Sequence, residues 1–424
     1  MTKSNNLYFL DKNSYFRIFT SIRSFLFIAI GFSIPLSVAA TSIFFVLLFA
    51  VWLLDGNYRT KFESVSSNPV FVAITAFFIL HLLGLYWLDA PKPVDGFKSW
   101  MVFLIPVLAT AVDTKTARRG VYAFIVAMMI SESWVYLNIV SNWKAYINLE
   151  PFSPIVSGRF FISGDRISYN PMLAFAIALL LTTILAGYYK SWRLAVAIGF
   201  LVTMVVNMFM TEGRAGHVAF IFVWIVLSVY FLRKRHLALA GMIGAVILIV
   251  ALAFNYSPVF KQRMMQAQND LIHYEDNILR AQNLNQPSSI GHRLHFTDRT
   301  LREFLNKPWL GYGTGSFVYA YNKQVEKYPG QVLPTANPHN HHALILLQFG
   351  LVGFLIYSAI YVTQLRLVRV MPMAYEYRSL AVLLPLFYIL INLYETYLWG
   401  HHLQAMFAYM TAIFYRRDMW EITR

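Results

Sequence analysis

The sequence predicts an all-α polytopic membrane protein, and composition, hydropathy and run length each support this class. Of the 424 residues, 58% are hydrophobic and 13% are charged, whereas soluble domains average roughly 45–50% and about 25%. The mean hydropathy is +0.52, and apolar runs approach the roughly 20 residues that a bilayer-spanning helix needs. These observations exclude a soluble fold, and the strand-like alternation of a transmembrane barrel is missing.

Charge and cysteine content narrow the possible partners. The formal net charge is +15, which fits nucleic acid, anionic lipid headgroups or a polyanionic substrate until the positions of the charges are considered. The chain has no cysteine. Disulfide frameworks, iron–sulfur clusters and thiolate zinc sites are therefore excluded.

Apolar windows between charge clusters and Gly or Pro breaks predict about twelve membrane spans. We divide the first apolar stretch near Pro35 and Ser37, because the alternation of loop charges described below requires two spans there. The predicted spans are residues 24–36, 39–54, 69–88, 97–112, 120–140, 168–187, 192–210, 215–232, 237–255, 341–365, 379–399 and 401–415.

Positive charge is distributed unevenly among the segments that join these spans. With the N-terminus inside, 20 of the 35 lysines and arginines fall in cytoplasmic segments, 6 in short outer loops and 9 in one long outer segment. The positive-inside rule requires this bias for twelve spans with both termini cytoplasmic. We expect the basic first 23 residues to be retained, because the following apolar stretch is too long for a cleaved signal peptide. Topology thus explains most of the charge, and no nucleic-acid partner is predicted.

The long outer segment contains two predicted amphipathic helices. The first covers 257–285, where Ser257 is a candidate N-cap and Pro258 takes the first helical position. The second covers 289–306. Both helices lie at the outer interface, either flat on the membrane or as a cap over a cavity. The chain therefore divides into residues 1–255 with nine spans, the large outer loop 256–340, and residues 341–424 with three spans.

Four arginines on the outer side depart from the charge bias. Arg159 and Arg166 lie in a short outer loop, Arg214 lies in a tight turn, and Arg293 lies in the long segment. Three spans begin beside Arg166, Arg214 or His339, and helix N-termini attract anions through a partial charge of about +0.5 and unpaired N–H groups. Guanidinium groups bind phosphate oxygens bidentately and stay charged near the bilayer. The pattern predicts a diphosphate pocket.

His339 is the main candidate for a general base. We place it in the first turn of a helix, where the positive dipole end disfavours the imidazolium and leaves a neutral ring near pH 7. With His341 and His342 it forms a cluster that zinc can use, but carboxylates at ligand spacing and thiolates are missing, so no metal is predicted. Glu395, placed within span 379–399, is either a buried functional carboxylate or a satisfied core group.

Simpler structural roles remain open for several of these residues. A single arginine at the end of a span is often an interfacial residue, and Glu212 is close enough in sequence to pair with Arg214. Asp298 and Arg302 have the spacing of a helical ion pair. The glycines at 311, 313 and 315 are more typical of a turn than of a phosphate-binding loop.

The segment from His339 to Gly353 resembles the signature of the O-antigen ligase superfamily, in which His-Asn is followed after nine residues by Gly-x-x-Gly. Two histidines directly after Asn340 depart from that pattern. The resemblance covers roughly residues 155–365 and the topology of the whole chain. Three further motifs are similar in order and spacing: Gly158-Arg159 to Asn170-Pro171, Thr211 to Gly216, and Arg293 with the later run Pro308 to Phe317.

This resemblance implies a GT-C-like helical fold in the inner membrane of a Gram-negative bacterium, with an active site facing the periplasm. It implies a glycosyltransferase that moves O-antigen from undecaprenyl diphosphate to lipid A-core in lipopolysaccharide biosynthesis, without a metal ion or other cofactor. By the resemblance, the catalytic residues are His339, Arg214 and Arg293, and the diphosphate contacts are Arg159, Arg166, Arg214, Arg293 and Asn340.

Three alternatives remain open at this stage. A polysaccharide polymerase and a protein O-oligosaccharyltransferase of the same superfamily have similar motifs and differ in their acceptor. A lipid-linked glycan transporter also fits twelve spans, but it is expected to carry polar groups at the middle of the membrane. For the enzyme, inversion in a single displacement is predicted, because no carboxylate pair lies at nucleophile spacing.

Overall fold

The computed structural model describes residues 12–93, 95–148, 161–272 and 289–416, and within these ranges it is all-helical with no strand. The helices of this part of the chain are α1 Lys12–Ser33, α2 Val38–Leu54, α3 Tyr58–Ser66, α4 Pro69–Leu83, α5 Trp100–Phe103, α6 Ile105–Ala111, α7 Thr114–Ser141, α8 Trp143–Ile147, α9 Arg166–Leu185, α10 Trp192–Met210, α11 Arg214–Leu232, α12 His236–Tyr256, α13 Pro258–Ile272, α14 Ser289–Phe304, α15 Phe317–Lys327, α16 His341–Val370, α17 Tyr375–Ile391 and α18 His401–Phe414.

Long apolar helices make this an integral membrane protein. In the described ranges six helices are long and apolar enough to cross a bilayer, namely α7, α9, α10, α11, α12 and α16. The α2–α3 pair, bent by 117°, adds a seventh if it is one span. The predicted all-helical membrane class is therefore confirmed, while the count of about twelve spans and the GT-C-like fold stay predictions.

Side-chain caps and proline define where several helices begin. The Ser37 hydroxyl accepts a hydrogen bond from the Ala40 N–H at 3.2 Å, which starts α2 after the turn containing Pro35. The Asn68 side chain caps α4 at 3.0 Å, directly before Pro69. The first apolar stretch therefore divides into two helices near Pro35 and Ser37, while its assignment to two membrane spans stays a prediction.

Two predicted spans differ from the helices that form. The predicted span 97–112 consists of the short helices α5 and α6, which are separated at Leu104. Pro106 follows two residues later, and its ring removes a backbone donor. The predicted span 379–399 ends as a helix at Ile391, and residues 392–400 form turns. Glu395 therefore lies in a connection and not within a helix.

Helix α9 forms the centre of the molecule. Nearly all of its residues from Ser168 to Thr182 are buried, and it packs against α7, α10, α11, α17 and α18. Such all-round apolar burial is typical of a central helix in a membrane bundle. In contrast, α12 is exposed over most of its length, and its main packing partners among the described helices are its neighbours α11 and α13.

The starts of three long helices meet at one end of the molecule, which we call the site end. Near the start of α11 the Thr211 hydroxyl donates to Asn170 of α9 at 2.8 Å. The Tyr397 hydroxyl, in the turns after α17, donates to the Ile167 carbonyl in the first turn of α9 at 3.4 Å. At the start of α16 the His341 N–H donates to the Asn392 carbonyl at 2.8 Å. The long outer segment packs on this end.

That segment forms its own small core. Aromatic and aliphatic side chains of α14, α15 and their connections cluster against the first turns of α16, namely Phe296, Tyr312, Phe317, Ala320, Tyr321, Val332, Leu344 and Leu347. Helices α13 and α14 match the two predicted amphipathic helices, with residues 273–285 of the first lying outside the described ranges. Helix α15 is a further element that the sequence analysis did not predict.

A kink in α16 receives the loop that follows α14. Gly350 has φ 63° and ψ −162°, which interrupts the helix. There the Leu351 N–H donates to the Pro308 carbonyl at 2.8 Å, and the Gly313 N–H donates to the Gln348 carbonyl at 2.8 Å. A Cβ at Gly350 would lie 2.3 Å from the Trp309 backbone. The kink therefore requires glycine for its left-handed backbone and for its space.

Candidate active site

His339 lies in the turn that precedes α16, and its surroundings fix its orientation. The Asn337 side chain accepts a hydrogen bond from the His339 N–H at 2.9 Å, and His339 has φ 53°. Asn340 is the N-cap of α16, because its side-chain oxygen accepts from the Ala343 N–H at 3.1 Å. The prediction that His339 lies inside the first helical turn is therefore wrong, since the helix begins at His341.

A buried carboxylate, and not the helix dipole, faces the His339 ring. His339 Nδ1 lies 2.7 Å from Glu395 Oε2. Glu395 Oε1 accepts from the Asn337 side-chain amide at 2.9 Å and from the Thr396 N–H at 3.0 Å. Both carboxylate oxygens thus have defined partners, and Nε2 is the ring atom left for a substrate. A carboxylate on Nδ1 orients an imidazole and stabilises its protonated form.

The charge state of Glu395 follows from these contacts. Burial acts to raise the pKa of Glu395, but the hydrogen bond and charge of His339, the Thr396 N–H and the charge of Arg293 together keep it below its usual value of 4.5. Glu395 is therefore ionised at neutral pH. A base and its anionic orienting group lie together at the site end.

Helix α14 supports His339 and brings Arg293 to the same carboxylate. Arg293 Nη2 lies 3.6 Å from Glu395 Oε2. The Phe296 ring stacks against the His339 ring with centroids 6.0 Å apart, and the Thr297 hydroxyl donates to the Pro338 carbonyl at 3.4 Å. One face of α14 therefore packs over the turn that holds the histidine.

Arg214 begins α11, where two glycines allow the turn to pack tightly. A Cβ at Gly213 or Gly216 would lie 2.6 Å or 2.2 Å from Asn170, so only glycine permits this approach of the turn to α9. Arg214 Nη1 lies 3.3 Å from Asp270 Oδ2, and its Nη2 donates to Gln266 Oε1 at 3.3 Å. The sequence-based pairing of Arg214 with Glu212 is therefore wrong, because Asp270 of α13 takes that position.

Glu212 instead joins two other arginines. Arg166 Nη1 lies 3.2 Å from Glu212 Oε2, and Arg263 of α13 forms a second ion pair with the same oxygen. Arg263 also donates to Gln266 Oε1 at 3.0 Å, the atom that Arg214 contacts. Arg166, Arg263 and Arg214 thus form a connected row of guanidinium groups. Sequence reasoning missed Arg263, whose signal was a basic residue on the face of a predicted amphipathic helix.

The guanidinium row and the His339 turn belong to one region. His292 of α14 is close enough to both for the charges of Asp270 and of His339 to act on it. Burial is the largest cause that lowers the pKa of His292 from its usual 6.5. The structure therefore brings Arg166, Arg214, Arg293, His339 and Asn340 to the site end, while Arg159 lies outside the described residues.

Burial and contacts also show the surroundings of His341 and of the pair Asp298 and Arg302. His341 is fully buried and faces the core beside Tyr357, with ring centroids 5.5 Å apart. In the described ranges, no group of three or more His, Asp or Glu side chains is arranged to hold a metal ion. The helical ion pair of Asp298 and Arg302 is confirmed at 2.9 Å.

Comparison with known families tests the resemblance seen in the sequence. Residues 199–358 match the profile of the family described as O-antigen ligase. The match covers 160 of the 424 residues and is consistent with an O-antigen ligase-type family. That family consists of glycosyltransferase-like ligases and polymerases that act on lipid-linked glycans. The comparison with curated proteins gives no match. The matched segment contains Arg214, Arg263, Arg293 and His339, while Arg166 and Glu395 lie outside it.

Proposed function

We propose that this protein ligates O-antigen from undecaprenyl diphosphate onto lipid A-core at the periplasmic face of the inner membrane. The observation that carries the proposal is the oriented pair of His339 and Glu395, which lies in one region with a row of guanidinium groups. A base for a hydroxyl and cations for a diphosphate are the two requirements of glycosyl transfer from such a donor.

The proposed reaction is a single inverting displacement. The acceptor hydroxyl oxygen attacks the anomeric carbon, and the bond from that carbon to the diphosphate oxygen breaks with its electron pair. His339 Nε2 accepts the hydroxyl proton, and Glu395 stabilises the resulting imidazolium through Nδ1. Undecaprenyl diphosphate leaves with the additional negative charge on its phosphate oxygens. No metal ion or nucleotide takes part in this scheme.

Arginines are assigned to the leaving group. Arg214 and Arg293 stabilise the departing diphosphate, with Arg166 as a further contact and Arg159 as an expectation from the sequence. Guanidinium groups bind paired phosphate oxygens and remain charged in a half-buried setting. The Arg214 side chain is 21% exposed and that of Arg293 is 32% exposed, which leaves both accessible to a substrate. The side-chain oxygen of Asn340 accepts the hydrogen bond of the helix cap. A contact from Asn340 to the diphosphate therefore uses its side-chain nitrogen.

Reconstitution tests the function directly. The purified full chain is placed in proteoliposomes with a defined undecaprenyl diphosphate glycan and lipid A-core, and products are separated by mass. Ligation predicts glycan attached to lipid A-core. Lengthened glycan that remains on undecaprenyl diphosphate identifies a polymerase instead, and transfer to neither acceptor rejects the enzyme assignment.

The role of Arg214 predicts a large kinetic effect. Arg214→Ala is expected to lower turnover by about 10²–10³-fold, because removal of one charged transition-state stabiliser has an effect of this size. Arg302→Ala is the matched control, since Arg302 forms an exposed pair with Asp298. Near-normal transfer by folded Arg214→Ala in the same reconstituted assay rules out its assignment to the diphosphate.

A further inference from the structure

Asp270 makes two contacts that are typical of a bound anion. Its Oδ2 lies 3.3 Å from Arg214 Nη1 and accepts a hydrogen bond from the Ile290 N–H at 3.4 Å. Ile290 is in the first turn of α14, so this N–H belongs to the positive end of the helix dipole. A guanidinium and a helix N-terminal amide are the groups that bind phosphate in many proteins.

We propose that the Asp270 carboxylate occupies a phosphate position of the diphosphate site, and that the donor displaces it on binding. This rests on the proposed function, in which Arg214 binds the donor diphosphate. Asp270 is thereby an internal competitor of the donor. It keeps the half-buried Arg214 paired while the site holds no substrate, which avoids an uncompensated cation in a low-dielectric region.

The contacts around Arg214 favour displacement over a purely structural ion pair. Gln266 Oε1 accepts from both Arg214 and Arg263, so Arg214 keeps an anchor on α13 after Asp270 leaves. Within the described residues, Asp270 accepts hydrogen bonds from Arg214 and from the Ile290 N–H, and both are groups that a phosphate can also use. These contacts therefore allow a phosphate to replace the Asp270 carboxylate while Arg214 stays in place.

Charge balance at the site supports the same conclusion. Arg166, Arg214, Arg263 and Arg293 are paired with three carboxylates, which are Glu212, Asp270 and Glu395. The surplus of positive charge among these groups is therefore one. A diphosphate carries at least two negative charges, so a displaced Asp270 leaves a better match between ligand and site.

Binding of inorganic pyrophosphate to the purified full chain in nanodiscs tests the proposal. Asp270→Asn keeps the shape of the side chain and removes its charge, and it is expected to tighten pyrophosphate binding by about three- to tenfold. Asp298→Asn is the matched control, because it removes the same charge from an exposed pair on neighbouring α14. The control is expected to leave the affinity unchanged. Arg214→Gln is expected to abolish binding with either residue at position 270.

Each outcome decides whether Asp270 competes with the diphosphate for Arg214 or only positions Arg214. Equal or weaker binding by Asp270→Asn overturns the proposal, as does equal tightening by Asp298→Asn or no pyrophosphate binding by any form. The proposed function is judged separately, by glycan transfer in proteoliposomes. Tight, Arg214-dependent binding of pyrophosphate without glycan transfer therefore supports the displacement of Asp270 and rejects the ligase function. Glycan transfer without an effect of Asp270→Asn on pyrophosphate binding supports the ligase function and rejects the displacement.

Discussion

Glu395 gives His339 a defined chemical role at the level of single residues. In the sequence this glutamate had two open interpretations, and its contacts with His339, Asn337 and Thr396 support our proposal that it is functional. A carboxylate that orients an imidazole and stabilises its cation acts through the histidine and not on the substrate. We therefore regard Glu395 as a positioning residue.

Glu395→Gln tests this positioning role. Glutamine keeps an acceptor for Asn337 and Thr396 but removes the charge beside His339. We expect kcat to fall by about 10–10³-fold, while the donor KM changes less than about twofold, because the imidazolium is formed only during the reaction. Glu326→Gln, which removes an exposed carboxylate of α15, is the control in the same kinetic assay. A changed KM at constant kcat contradicts positioning of the base.

The pKa of Glu395 also predicts a pH effect on stability. Because its pKa in the folded protein is lowered from 4.5, ionised Glu395 contributes stability above pH 4.5, and this contribution is lost as the pH falls through the lowered value. The Tm of the wild type should therefore exceed that of Glu395→Gln near pH 7, and the difference should shrink below pH 4.5. A difference that stays constant in thermal unfolding down to pH 3 argues against an ionised, paired Glu395.

At the scale of residues, the sequence predicted which side chains belong to the candidate site better than it predicted the partners of those side chains. Arg214, Arg293 and His339 were selected because their charge and position departed from the membrane topology. Their carboxylate partners come from α13 and the turns after α17, which are distant in sequence. Periodicity and propensity carry no information on such long-range contacts. The dipole argument for His339 failed because Asn340 is the N-cap, which leaves His339 before the helix and not in its first turn.

At the scale of elements, the kink in α16 connects the signature motif to the outer segment. The sequence indicated turns at the glycines after Pro308 and a plain helix through Gly350. In the structure the loop backbone from Pro308 to Gly313 supplies hydrogen bonds at the kink. Hydropathy did not predict this break, because apolar residues continue on both sides of Gly350.

Gly350→Ala is predicted to destabilise the protein by at least about 2 kcal/mol. The substitution combines a left-handed backbone with a Cβ placed 2.3 Å from the Trp309 backbone. The control is Gly241→Ala in α12, where nothing lies within 4 Å of the added Cβ and alanine is favoured in a helix. Thermal unfolding in detergent measures both. Equal Tm values for the two variants contradict the account of the kink.

For the whole molecule, hydropathy and charge bias predicted the helical membrane class and most helix positions. The shorter helices α5 and α6 and the bent α2–α3 pair show where length and apolarity alone do not define a span. Proline positions and helix bends determine these cases. The orientation in the membrane stays a prediction, because it depends on the charge bias of loops relative to a bilayer.

Single cysteines can test the predicted orientation, since the native chain contains none. Lys327→Cys on α15 and Lys234→Cys after α11 replace exposed residues on opposite sides of the predicted topology. We expect a membrane-impermeant maleimide to label only the position at 327 in intact inner membranes with their native orientation. Labelling at 234 and protection at 327 reverse the topology and place the site in the cytoplasm.

The central claim is that His339 accepts the proton of the attacking hydroxyl, and its most direct test is glycan transfer by His339→Ala. The control is His401→Ala, an exposed histidine at the start of α18. In proteoliposomes with donor and acceptor lipids, we expect His339→Ala to lose about 10²–10⁴-fold in turnover while His401→Ala stays near the wild type. Full activity of folded His339→Ala at pH 7 would contradict the account.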